Sequence, residues 1–307
     1  MTYPSFYDPE RVGTLYVPDT ADAIGEGLAA GLTQAAADDR RIVLLLIDAQ
    51  VDFIHLDGAL CVPGAVEDAR RTAEWIYRHV SEITAIAASL DSHLPAQIFY
   101  PTWWVNEAGE HPDPYTPITS QQVKQGVWKP VYQPEWSARY VKRLQEQAKK
   151  ELMIWPYHTM IGTPGHSLTP ALYEALVYHA AARQADPRFI IKGNLPQTEF
   201  YSLLEPEVKV PDDPRGQLNR DFLDELLGYD LIYLGGQAKS HCVLETVTSF
   251  MRTLGDDAEA IGKLRLLEDC TSSVQHPEID FESIANQAYA GFRERGLRLV
   301  QSTDPID

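Results

Sequence analysis

The sequence predicts an α/β fold, a three-layer α/β/α sandwich around a mainly parallel, Rossmann-like sheet. Three observations predict it. Short aliphatic runs (IVLLLI, ITAIAASL, RFII, LIYLGG, LRLL) alternate with helix-length amphipathic segments from residue 42 onward. The first run is apolar at six successive positions, as expected of a strand buried on both faces. Four of the runs also lead into chemically loaded residues: Asp48, the pair Asp91 and His93, Lys192, and Cys242. In an open parallel sheet the loops after the carboxyl ends of the strands converge on one edge, where ligands bind.

The elements follow in order. A polar, aromatic N-terminal segment (MTYPSFYDPERVGT) reads as an arm lying on its own domain or on a neighbouring subunit, and Ala21 to Asp39 reads as a loose Ala/Gly-rich helix. Strand IVLLLID is followed by Pro63-Gly64 and helix AVEDARRTAEWIYRHV, with acids early and bases late as the helix dipole prefers. Strand ITAIAASLD leads into an irregular stretch from Leu94 to about Pro134 rich in Pro, Trp and Tyr. Loops of that length serve as lids, oligomer contacts or insertions. Helix SARYVKRLQEQAKKEL, segment MIWPYHTMIGTPGHSL and helix PALYEALVYHAAARQ precede strand RFIIKG. Helix NRDFLDELLG, strand DLIYLGG, helix CVLETVTSFMRTLG, strand KLRLLED, helix FESIANQAYAGFRERG and strand LRLVQS complete the alternation.

At 307 residues the chain can bury a sizeable core. Its net charge of −18 argues against nucleic acid and against an anionic membrane surface, both of which select basic proteins. No apolar run approaches the ~20 residues needed to span a bilayer. Three cysteines without metal-type spacing, and no secretory leader, predict a reduced, cytoplasmic protein. The arm and the aromatic stretch make a homo-oligomer a candidate.

Cys242 falls at a strand-to-helix turn among small residues (Gly235, Gly236, Ala238, Ser240). A helix N-terminus and a nearby lysine would lower its thiol pKa and make it a nucleophile. An isolated cysteine is more often buried and inert, and Cys61 and Cys270 are left with that reading. Asp48 is either a turn residue or a buried general base. Asp52 reads as a turn or helix-capping acid, and Lys192, taken alone, as an exposed strand-end lysine. Asp91 and His93 form an Asp-x-His pair that one more histidine would complete as a metal site, with His158 and His111 as competitors.

The ordered set IDAQVDF, GALCVPGA, SLDSH, WPYHTMIGTPGHSL, KG with EFYS, GGQAKSHCVLET and LEDCTSS resembles the isochorismatase-like cysteine hydrolases. Within them it is most similar to the nicotinamidase-related amidohydrolases, and the resemblance runs from Ile42 to Val300. The expected division is an N-terminal arm and helix over residues 1–40 and a hydrolase domain over 41–307, with an insertion at about 100–150. The resemblance implies a triad of Asp48, Lys192 and Cys242. It also implies a divalent metal ion (Zn, Fe or Mn) on Asp91, His93 and His158, which leaves His111 in the insertion. The resemblance further implies a cis Gln237-Ala238 peptide and an oxyanion hole built from the N–H groups of Ala238 and Cys242. Phe53 and Trp155 match positions that wall the substrate ring.

The departures fall on the metal and ring side. Where nicotinamidases read DWHPxxHxSF this chain reads DSHLPAQIFY, placing Ser92 and Phe99 at altered positions, and WPxHC becomes WPYHT with Thr159. The implied activity is hydrolysis of a small carboxamide, nicotinamide first, through a thioester. The alternatives are a carbamoyl or maleamate-type amide, or a non-catalytic ligand-binding protein on the same fold. Isochorismatases proper lack the cysteine, so Cys242 argues against vinyl-ether hydrolysis.

Overall fold

The structure, a computed structural model, describes residues 3–148 and 150–307. The first two residues of the arm and Lys149 of the predicted helix lie outside the described residues. Six strands form the central sheet: β1 (Ile42–Ile47), β2 (Ala85–Asp91), β3 (Arg188–Lys192), β4 (Leu231–Gly236), β5 (Leu264–Leu267) and β6 (Arg298–Val300). Their order is β6-β5-β4-β1-β2-β3, and every neighbouring pair is parallel. The expected sandwich is present, with this sheet wholly rather than mainly parallel.

Strand β1 explains the three layers. Its six residues are all buried, and alternate side chains enter different cores. Ile42, Leu44 and Leu46 pack with Ala69, Trp75 and Ile76 of helix Ala65–Arg78 and with Leu172 and Leu176 of helix Pro170–Arg183. Val43, Leu45 and Ile47 pack on the opposite face with Phe222, Val247, Phe250 and Tyr289, from helices Arg220–Leu227, Leu244–Leu254 and Phe281–Glu294. Local signals set the helix ends. Pro170 opens one helix, and the side chains of Asn219 and Asp280 accept the N–H groups of Phe222 and Ser283 at two others.

The chain enters the sheet at β1 and leaves toward β2 on one side, returning as β4 on the other. The switch in strand order therefore falls at the carboxyl end of β1, where a crevice forms.

Several expected elements differ. The loose helix condenses to Thr20–Ala29 and a single turn at Ala35–Ala37. The arm packs on its own chain, with Tyr3, Phe6 and Tyr7 set edge-on or tilted against Tyr77. The helix expected from Ser137 begins at Pro134, whose fixed φ suits a first helical position, and runs to Arg143 before a wider turn over Leu144–Ala148. Its last expected residue, Leu152, instead pairs in a short antiparallel ribbon of Leu152–Met153 with Pro117–Ile118.

The stretch read as irregular is a packed subcore. Tyr100, Trp103, Trp104, Trp136, Tyr140 and Trp155 are buried together, with indole N–H groups donating to Ser137 Oγ, the Ile98 carbonyl and the Gln197 carbonyl. The stretch reads as irregular in sequence because its packing draws on partners outside it, such as Ser137 and Gln197. Among the described residues no helix is long and apolar enough to cross a membrane.

Candidate active site

The crevice collects the strand-end residues. Asp48 follows β1 in a left-handed conformation (φ 46°), which turns the chain sharply and which aspartate tolerates better than most residues. Its N–H donates to Ser89 Oγ at 3.0 Å, and the Ser89 hydroxyl donates back to Asp48 Oδ1 at 2.6 Å. Lys192 ends β3 next to Asp91, its register partner on β2. Far from an exposed strand end, it is 3% exposed. Its Nζ lies 2.8 Å from Asp48 Oδ2, 2.8 Å from Asp91 Oδ1, 2.7 Å from the Phe200 carbonyl and 3.7 Å from Cys242 Sγ. One ammonium thus joins two carboxylates and the thiol.

Burial controls the charges here. It raises the Asp48 carboxyl above its ordinary value against the opposing pull of Lys192, and Asp91 adds to the rise. Burial alone would lower the Lys192 ammonium, but Asp48 and Asp91 outweigh it and hold it above its ordinary value. The Cys242 thiol is pushed well up, first by burial and then by Asp48 and Asp91, although Lys192 pulls the other way. The expected lowering at a helix N-terminus does not hold. Cys242 sits in a wide turn, Lys239–Val243, before the regular helix starts at Leu244, and it is 7% exposed. The resting proton therefore stays on sulfur, beside a carboxylate of raised basicity.

Ligand atoms of Asp91, His93 and His158 lie within 4.8 Å of one another, and all three residues are buried. His93 Nε2 is 2.9 Å and His158 Nε2 is 3.9 Å from Asp91 Oδ2. The other ring nitrogens reach carbonyls, His93 Nδ1 to Gly193 at 3.2 Å and His158 Nδ1 to Pro156 at 2.7 Å. With Nδ1–H donating outward in each ring, both Nε2 lone pairs would turn to the carboxylate, an arrangement that suits a cation between them. Burial, with help from His93, lowers His158 to about 3, so it is neutral at pH 7, as a metal ligand must be. The residues present fit a divalent ion.

Gly193 makes room for this cluster. At φ 77° a Cβ there would stand 2.5 Å from Asp91 Oδ1 and 2.7 Å from His93 Cε1. Gly193→Ala is expected to lower the metal content of the purified protein at least tenfold, the loss typical of disturbing the groups that orient ligands. Elemental analysis reads this directly, and full occupancy would contradict it.

Phe53, Trp155, Ala238, Cys242, Asp91, His93 and His158 all border one cavity. The Gln237–Ala238 peptide is cis. His111 is exposed in the insertion and bonds to the Trp104 carbonyl. Asp52 is indeed a turn acid, accepting the N–H groups of Ala59 and Thr159. Of the altered positions, Phe99 lines the cavity edge-on to His93 with ring centroids 4.9 Å apart. Ser92 Oγ meets His166 Nε2 at 2.7 Å, and the Thr159 hydroxyl is buried without a partner among the described residues.

Sequence reasoning missed several participants. Gln50 holds the Asp91 backbone at both its N–H and its carbonyl. Glu199 accepts from the Tyr140 and Tyr201 hydroxyls, and Trp155 Nε1 donates to Tyr201 Oη. His241 lines the cavity next to Cys242. Ser89 alone had a signal, since it lies two residues before Asp91 on the same strand and so shares its face.

No protein-family model matches the sequence, and no curated protein matches it. Solved structures do. The yeast nicotinamidase Pnc1p bound to the inhibitor nicotinaldehyde aligns with a TM-score of 0.57 at 18% identity, covering 85% of this chain and 99% of that one. A nicotinamidase/pyrazinamidase of Acinetobacter baumanii gives 0.55 at 18% identity, covering 87% and 99%. The pyrazinamidase of Pyrococcus horikoshii in complex with zinc gives 0.50 at 19% identity, covering 85% and 99%. At such identities the likeness is one of architecture, and the protein has the fold of the nicotinamidases and pyrazinamidases.

Proposed function

We propose that the protein is a cysteine amidohydrolase that converts a small planar carboxamide, nicotinamide first, to its acid and ammonia. The observation that carries this reading is the Lys192 ammonium, 2.8 Å from the Asp48 carboxylate and 3.7 Å from the Cys242 sulfur, in a cavity walled by Phe53 and Trp155. The shared fold supports it, since a yeast nicotinamidase of this fold binds nicotinaldehyde.

Asp48 takes the thiol proton as Cys242 sulfur forms a bond to the amide carbon, and the carbonyl electron pair moves onto oxygen. The N–H groups of Ala238 and Cys242 donate to that oxyanion, a role worth about 2.7–4 kcal/mol per donor. The proton then passes from Asp48 to the leaving nitrogen, the C–N bond breaks, and ammonia departs from a thioester. Asp48 next removes a proton from water, the resulting hydroxide adds to the thioester carbon, and sulfur leaves and is reprotonated. Lys192 keeps the site's charge balanced while the proton moves, and its bond to the Phe200 carbonyl fixes its position. Asp91, His93 and His158 would hold a divalent ion, which when bound supplies an electrophilic anchor for a ring nitrogen.

Ammonia release from nicotinamide, set beside aliphatic carbamoyl and maleamate-type amides, tests the reading. Turnover greatest with nicotinamide is the expected result. Release from none of the amides would overturn it.

A further inference from the structure

The turn that carries Ala238 is tied to the protein through both of its chain neighbours. Gln237 is buried, and its N–H donates to the Ile47 carbonyl at 2.8 Å. Its side chain reaches helix Ala65–Arg78, where Nε2 donates to Asp68 Oδ2 at 2.9 Å, while Oε1 lies 3.4 Å from the Ser272 backbone nitrogen. A backbone N–H can only donate, so the amide oxygen faces Ser272 and the amide nitrogen faces Asp68. On the far side of Ala238, the Lys239 N–H donates to the Ser272 carbonyl at 2.8 Å.

Asp68 anchors this arrangement. It is buried in the first turn of its helix, and Arg71 Nη2 donates to its Oδ1 at 2.8 Å. Arg71 is fixed in turn by the Asp269 carbonyl, which accepts from its Nε. Asp68 does not border the cavity, whereas Ala238 does.

We infer that Asp68 is a positioning residue, acting through Gln237 to aim the Ala238 N–H at an oxyanion formed on Cys242. The inference rests on the amidase reading above and adds to it a residue outside the cavity. Without the carboxylate, the Gln237 amide is a buried donor that has lost its acceptor, and the side chain rotates to find another. The Gln237 carbonyl and the Ala238 N–H belong to one planar peptide, so a shift of Gln237 tilts the donor. A tilted donor weakens the transition state. It leaves the bound amide, whose oxygen carries less charge, little affected.

The test uses the full-length chain with the divalent ion it purifies with, as Asp68→Ala, as Gln237→Leu and as the double variant. Ammonia release from nicotinamide gives kcat and KM. Calorimetry gives the affinity for nicotinaldehyde relative to 3-pyridylmethanol, which has the ring and no carbonyl. The aldehyde carbon bonds to the Cys242 sulfur, the thiol proton passes to Asp48, and the carbonyl electron pair becomes an oxyanion. Each single variant should lose about ten- to a hundredfold in kcat, with KM within about twofold, and at least about tenfold in the aldehyde-to-alcohol ratio. The double variant should lose no more than the singles, because all three break the same bond. Each ratio is taken within one variant, so a loss of folded protein cancels. An aldehyde-to-alcohol ratio within about twofold of the wild type in both single variants would overturn the inference, and ammonia release by the intact chain would then leave the amidase reading standing. If the intact chain released no ammonia while the ratio still fell, the amidase reading would fall and the positioning role would stand. An intact chain that neither released ammonia nor bound nicotinaldehyde would remove both.

Discussion

Lys192→Met should cost the fold about 3–5 kcal/mol and abolish ammonia release, the largest combined effect of any single substitution in the site. Methionine matches the length of the lysine stem and removes only the ammonium. Asp48 and Asp91 are 0% and 5% exposed, and both would lose their shared cation. The pH dependence has a definite sign. Burial already raises the folded-state Asp48 carboxyl, and in the variant nothing from Lys192 opposes that rise. The folded state then binds protons above the range where the unfolded carboxyl does. Stability is therefore recovered as pH falls and lost as pH rises. Urea denaturation at neutral pH and at about pH 5 should show the deficit shrinking in acid. A neutral-pH loss below about 1 kcal/mol, the scale of an exposed ion pair, would mean that Lys192 does not hold the site together.

Cys242→Ala should separate chemistry from stability. The sulfur is a small buried volume on the edge of a cavity, so its removal is expected to cost no more than about 1 kcal/mol. Ammonia release should nevertheless fall by about 10^4-fold or more, as when other covalent nucleophiles are deleted. The other cysteines supply the control. Cys270 is fully buried, its thiol pushed up to about 12 chiefly by burial, and Cys61 lies partly buried with its thiol also raised by burial. Alanine at either position should leave turnover unchanged. Activity surviving in Cys242→Ala would exclude the thioester route.

Much of this arrangement was legible in the sequence because a parallel sheet converts sequence order into position. Asp48, Asp91, Lys192 and Cys242 each follow a run of aliphatic residues, and strand ends in such a sheet share one edge. His158 needed the resemblance, since nothing in its own neighbourhood separates it from His111. The state of the thiol was misjudged because a single strand-to-helix junction suggests a helix N-terminus. The wide turn at Lys239–Val243 and the enclosing carboxylates belong to the tertiary structure. The aromatic insertion was illegible for the same reason. Trp103 and Trp136 look like exposed loop residues until Ser137 and Gln197, from outside the insertion's irregular stretch, satisfy their indole N–H groups.

The central claim is that Cys242 bonds to the carbon of a carboxamide while Asp48 and Lys192 manage the charge. Mass spectrometry of the intact protein quenched in acid during turnover of nicotinamide, followed by peptide mapping, tests it most directly. The account predicts a nicotinoyl adduct on the peptide containing Cys242 that disappears once substrate is exhausted. Turnover with no adduct on that peptide, or an adduct confined to Cys61 or Cys270, would contradict it.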